Sequence, residues 1–142
     1  MALKALGRKE RTESELVHWL AERGVEEAER IEVLTRLVED GSIDDERFAR
    51  RYAEDKRELA GWGPDRIREA LAGRGIPDDL IEAALAVESE DEVVARASAL
   101  LARSGTEVAD ERGRQRALAQ LARHGFPLEA AYDAVRAQER NG

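Results

Sequence analysis

The chain has 142 residues, a net charge of −8 from 23 lysines and arginines against 31 aspartates and glutamates, and no cysteine. That balance excludes disulfides and thiolate chemistry, and it argues against tight nonspecific binding to DNA, which requires many phosphates to be neutralised. No apolar run approaches the roughly 20 residues of a membrane span, the N-terminus lacks a signal-peptide core, and the few aromatics among abundant Ala, Leu, Glu and Arg favour helices with small contact faces, so the expectation is a soluble, cytoplasmic, all-α protein.

In chain order, residues 2–9 read as a short helix with Leu3 and Leu6 inward. Thr12 and Glu15 have the spacing of a capping box, each side chain able to satisfy the other's backbone N–H. The helix they open carries Leu16, Val17 and Leu20 and ends at Arg23-Gly24. A third helix is expected from about Glu26 to Asp40, with Ala28, Ile31, Leu34 and Leu37/Val38 inward, stopping at Gly41. Asp44 or Asp45 then caps a helix whose inner stripe is Phe48, Ala49, Tyr52, Ala53 and Leu59. Gly61 and Gly63 end it, and Pro64 suits the first position of the next, where a missing N–H costs nothing. There Ile67, Ala70 and Leu71 face inward, and Gly75 closes the helix.

Pro77 opens a helix with the stripe Leu80, Ile81, Ala84 and Leu85, and the polar run Glu88–Asp91 reads as a joint. Residues 91–103 make a helix on Val93, Val94, Ala97, Leu100 and Leu101, and a glycine break follows at 103–106. A helix from about Val108 to Arg123 carries Ala117, Leu118 and Leu121; Pro127 opens the last, on Ala130, Ala131, Ala134 and Val135. No segment alternates with period two for long enough to be a strand.

A repeat organises these helices. Leu20-Ala21-Glu22-Arg23-Gly24-Val25 recurs as Leu71-Ala72-Gly73-Arg74-Gly75-Ile76 and as Leu121-Ala122-Arg123-His124-Gly125-Phe126. The glycines stand 51 and 50 residues apart, and ten residues beyond them are Leu34, Leu85 and Val135. The chain therefore reads as three tandem three-helix repeats, 1–41, 42–88 and 89–142, forming an elongated, curved array. Units this small bury enough surface only by stacking, and a stack offers a long outer surface rather than a deep cavity.

Catalytic motifs are missing. No GxxxxGK[ST] loop occurs, and Gly61-Trp62-Gly63 follows a helix rather than a strand. His18 and His124 lie in different repeats and read as surface or packing residues, so no metal or cofactor is expected. The acids of 40–46 lack calcium-loop spacing and read as helix ends and caps. Binding capacity resides in cations: Arg47, Arg50, Arg51, Lys56 and Arg57 on the outer side of one helix, and Arg66, Arg68 and Arg74 on the next. Guanidiniums can pair bidentately with carboxylates or phosphates. Interleaved Glu54, Asp55, Glu58, Asp65 and Glu69 allow the other reading, a self-paired solvated face. Trp62, between two glycines at a corner, is either a lid on the core or an exposed contact.

The segment 43–76 resembles the signature of the RecX regulatory proteins, modulators of the recombinase RecA. The matching residues are Ile43-Asp44-Asp45-Glu46-Arg47-Phe48-Ala49, then Gly63-Pro64-x-Arg66-Ile67, Leu71 and Gly75-Ile76. The resemblance extends over nearly the whole chain and is weaker beyond residue 90. It implies three three-helix repeats in a curved molecule. It also implies a protein without catalytic residues, a monomer, that lodges on the RecA filament on single-stranded DNA. Such a protein inhibits filament extension, ATP hydrolysis and strand exchange, and so modulates recombination, DNA repair and the SOS response. Lys56 stands where an arginine is expected, and with the net charge this moves weight from DNA contact towards protein contact with RecA. The competing readings are a helical protein that binds DNA directly, single- or double-stranded and weakly, and a general helical-repeat adaptor.

Overall fold

A computed structural model describes residues 10–141. The expected helix over 2–9 lies outside the described residues. Among the described residues all regular structure is helical: α1 (Glu13–Glu22), α2 (Glu27–Glu39), α3 (Asp45–Glu58), α4 (Pro64–Gly73), α5 (Asp78–Leu85), α6 (Glu90–Ser104), α7 (Glu111–Arg123) and α8 (Leu128–Asn141).

Local chemistry sets these boundaries. The Thr12–Glu15 capping box forms at α1, and a second one, Ser89 with Glu92, opens α6 inside the stretch expected only as a joint. Asp44 caps α3 and Asp110 caps α7, which therefore starts three residues later than Val108. Val108 itself is buried in the preceding loop. The repeat glycines take the left-handed conformation, with φ of +75° at Gly24, +80° at Gly75 and +92° at Gly125, a region that disfavours any residue with a Cβ.

Three apolar clusters follow one another along the chain. Leu16, Leu20, Leu37 and Ile43 form the first. Phe48, Ala49, Ile67, Leu71, Ile76, Ile81 and Leu85 dominate the second, and Ala97, Leu101, Leu121, Phe126, Ala131 and Val135 the third. Helix packing respects this grouping: α1 lies on α2, α3 on α4 and α5, and α6 on α7 and α8.

Four expected core residues lie outside. Leu59 is 84% exposed because α3 ends at Glu58, leaving it in the cap rather than on the stripe. Ile31 is 58% and Val38 41% exposed, and Ala28 is also exposed. The inner face of α2 turns instead through the half-buried Val33 and Leu34 and the buried Leu37.

The groups are joined by the repeated corners. The corner after α4 sits on the start of α1, where the Thr12 hydroxyl donates to the Arg74 carbonyl at 2.7 Å. The corner after α7 sits in the equivalent way on the start of α4: the Gly63 N–H donates to the His124 carbonyl at 2.7 Å and the Asp65 N–H to the Gly125 carbonyl at 2.9 Å. Arg74 and His124 hold the same position in the sequence repeat. At the start of α4 the donors are backbone N–H groups and at the start of α1 the cap hydroxyl, and in both the acceptors are carbonyls at another helix's end. A Cβ on Gly75 would overlap Ser14, and one on Gly125 would overlap Arg66, whereas Gly24 has nothing within 4 Å. The helices α7, α4 and α1 form a head-to-tail column.

Candidate functional site

The sequence singled out a cationic surface on α3 and α4. The structure disperses it. Arg47 reaches Glu10 at 3.5 Å and donates to the Gly41 carbonyl at 3.1 Å. Arg50 pairs with Glu46 at 2.6 Å. Arg68 pairs with Asp65 and Glu82, both at 2.8 Å. These are surface pairs, each of small energetic value.

Arg57 and Arg74, expected to face outward, are packing residues. The Arg57 side chain lies 3.4 Å from Glu88, which is only 6% exposed, and it reaches the Ala84 carbonyl. Arg96 of α6 grips the same carboxylate through two nitrogens and also donates to the Arg57 carbonyl. One carboxylate thereby ties α3 to α6 across the joint. Arg74 pairs bidentately with Glu15 of α1 and lies over the Phe48 ring at 4.6 Å. Burial works against ionisation of Glu15, but the Arg74 hydrogen bond and the Thr12 N–H outweigh it and hold the carboxyl below its ordinary range.

Asp45, offered by the sequence as a possible cap for its own helix, is buried and accepts from the Glu13 N–H at 2.9 Å. It caps α1 from a distance while Asp44 caps α3. Burial, with the nearby charges of Asp44 and Glu15, raises its carboxyl above the usual range despite that hydrogen bond. Burial first, then Asp45, raises Glu13 as well.

Around Trp62 a cationic cluster persists. Trp62 is half-buried and packs against the second apolar cluster, with Tyr52 edge-on at 6.4 Å. Lys56 lies 4.7 Å and Arg66 4.1 Å from its ring centroid. Trp62 thus packs on the core while two cations lie over its ring. Arg51 is exposed, and neither it nor Arg66 has an ion-pair partner among the described residues.

Sequence reasoning missed a second set of cations, on α7. Arg112, Arg116 and Arg123 are exposed and likewise have no ion-pair partner among the described residues. The signal was available: α7 contains four arginines and one glutamate. Among the described residues, no helix is long and apolar enough to cross a membrane.

The profile of the RecX first three-helix domain matches residues 1–37, and that of the second three-helix domain matches residues 44–85. Regulatory protein RecX of Geobacillus kaustophilus is 36% identical over 90% of this chain and 49% of its own length. That of Halorhodospira halophila is 35% identical over 99% of this chain and 87% of its own length. The chain spans about half the length of the Geobacillus relatives it matches. The crystal structure of RecX from Lactobacillus salivarius superposes with a TM-score of 0.88 at 21% identity, covering 98% of this chain and 92% of that one. A second crystal structure of regulatory protein RecX gives 0.77 at 26% identity, covering 95% and 68%. With two domain profiles matched in tandem and a relative of similar length at 35% identity, this chain belongs to the RecX family of regulatory proteins.

Proposed function

We propose that this protein binds the RecA recombinase and its filament on single-stranded DNA, and that it inhibits filament extension, ATP hydrolysis and strand exchange. Family membership supports the regulatory role. The observation that carries the mechanical reading is the head-to-tail column. Corners seated at Ser14 and Arg66 join three small helical groups into one extended body. A body of that form suits bridging neighbouring protomers of a filament. Held across two protomers, it resists the change of subunit geometry that ATP turnover requires and obstructs the next addition. The units would run 1–41, 42–88 and 89–142, in a cytoplasmic monomer acting in recombination and repair.

Within this reading the contact residues are those the fold leaves free: Arg51, and the Lys56–Trp62–Arg66 cluster. Arg74 acts instead as a positioning residue for the column, and Arg57 as one for the joint between α3 and α6. Co-sedimentation with RecA filaments on poly(dT) tests this. The protein is expected in the pellet, and Arg51→Ala/Lys56→Ala/Arg66→Ala is expected to lower retention at least fivefold with the helical content intact. A protein that stays in the supernatant at saturating concentration contradicts the proposal.

A further inference from the structure

Helix α2 carries a row that its own unit leaves bare. Ala28, Ile31, Thr35 and Val38 are all exposed, Ile31 at 58% and Val38 at 41%. Their spacing of three, four and three residues is that of a coiled-coil seam, in which the first and fourth positions of each heptad meet a partner helix. The half-buried Leu34 stands beside Ile31 and Val38 at helical spacing, so the row continues the first apolar cluster out to the surface. Exposed apolar residues are ordinary when scattered, but the repeat sets this row apart. At the same distance from the corner glycines Gly75 and Gly125 stand Asp79, Glu82, Ala86 and Ser89, and Glu129, Tyr132, Arg136 and Glu139. All are exposed although the first helix of each unit, α3 or α6, is packed in place. The unit thus leaves this face to water, and its second and third copies fill it mostly with polar side chains. The first keeps isoleucine and valine there.

Carboxylates flank the row. Glu27, Glu32 and Glu39 are exposed and occupy the heptad positions next to the seam, from which coiled-coil helices select partners by charge. Residues 26–40 hold six carboxylates and two arginines. Arg30 is turned to the Val25 carbonyl. Arg36 pairs with Glu32 at 3.0 Å, both side chains largely exposed, and such a pair exchanges readily for another. The flanks therefore have one sign, and that sign separates the partners that cover apolar rows. Phosphate backbones and anionic lipid surfaces meet repulsion, and so does a second copy of this helix, which brings the same carboxylates. A helix with lysine or arginine beside an apolar seam meets attraction. From residue 28 to 38 the seam runs about 15 Å, at 1.5 Å per residue, room for about three turns of a partner helix.

We propose that α2 docks a basic amphipathic helix of a protein partner. The partner's apolar residues seat on Ala28, Ile31, Thr35 and Val38, and its cations lie against Glu27, Glu32 and Glu39. Burial of Ile31 and Val38 supplies the attraction, and the carboxylates set which partner is accepted. A contact of three turns is small, so the association is weak and reversible. The assignment rests on α2 alone, apart from Arg51 and the Trp62 cluster assigned to the filament.

The test is fluorescence anisotropy on the full chain with a labelled three-heptad peptide that has leucine at both seam positions and lysine on both flanks. Two labelled controls run beside it, the same seam with glutamate flanks and a scramble of the lysine peptide. The lysine peptide is expected to bind at least tenfold more tightly than either control. Ile31→Ser/Val38→Ser is expected to weaken it at least tenfold, with helical content by circular dichroism intact because both side chains are exposed. Glu32→Lys/Glu39→Lys is expected to reverse the preference towards the glutamate peptide. Glu22→Gln/Glu29→Gln removes two charges outside the seam and is expected to change binding less than twofold. No binding of the lysine peptide, equal binding of its scramble, or a charge swap without reversal would each overturn the proposal. So would self-association of the chain, or its binding to anionic vesicles, if Ile31→Ser/Val38→Ser abolished either, since the face would then belong to a second copy or to lipid.

Discussion

Glu88 holds two guanidiniums in the angle between α5 and α6, with little water to share the load. Removing its charge leaves Arg57 and Arg96 facing each other in a half-buried site, which costs more than an exposed pair would. Glu88→Gln is expected to lower unfolding stability by about 2 kcal/mol, read as a reduced urea midpoint. Asp45 gives a pH signature instead. Its folded carboxyl binds a proton more readily than the unfolded one, chiefly because of burial. Stability attributable to it therefore falls as pH rises from the unfolded carboxylate range through the raised folded value, and is flat above. Asp45→Asn keeps an acceptor for the Glu13 N–H and removes the charge. The variant is expected to gain on the parent across that window, measured by urea unfolding between pH 4 and 7. The reverse trend contradicts the assignment. The sequence left Asp44 and Asp45 as equivalent caps because adjacent aspartates satisfy the same local rule. Only the approach of α1 separates them, and no local pattern encodes that approach.

At the scale of the helix, what was legible was what depends on neighbours a few residues away. The Thr12–Glu15 box, the proline starts and the left-handed glycines follow from backbone chemistry within one turn. The faces of α2 and the end of α3 were less legible. Ile31 and Val38 share the helical period with Leu34 and Leu37, and periodicity alone does not choose between adjoining stripes. The seating of the repeated corners was also hidden, since it joins residues some sixty apart. It separates three glycines that look alike in sequence. Gly24→Ala incurs only left-handed strain, about 1 kcal/mol. Gly125→Ala adds overlap with Arg66, and about 3 kcal/mol is expected in total. Equal losses in thermal or urea unfolding would contradict the head-to-tail column.

For the whole molecule, the charges sort into three uses. One set locks the helical groups together at Glu15–Arg74 and Arg57–Glu88–Arg96. A second set self-pairs on helix surfaces. A third, Arg51, Lys56, Arg66, Arg112, Arg116 and Arg123, has no ion-pair partner among the described residues. A net charge of −8 conceals that distribution, and so does the arginine content of 47–74, most of which pairs with carboxylates of the same chain. The repeat itself was visible because the same left-handed glycine corner recurs at Gly24, Gly75 and Gly125. We propose that this body restrains the recombinase. The restraint is tested most directly by titrating the protein into RecA's single-stranded-DNA-dependent ATP hydrolysis at two salt concentrations, with binding to naked DNA followed alongside. Inhibition well below the concentration that binds free DNA is the predicted result. No inhibition at stoichiometric excess, or inhibition that tracks DNA binding and fades with it in salt, would contradict the account.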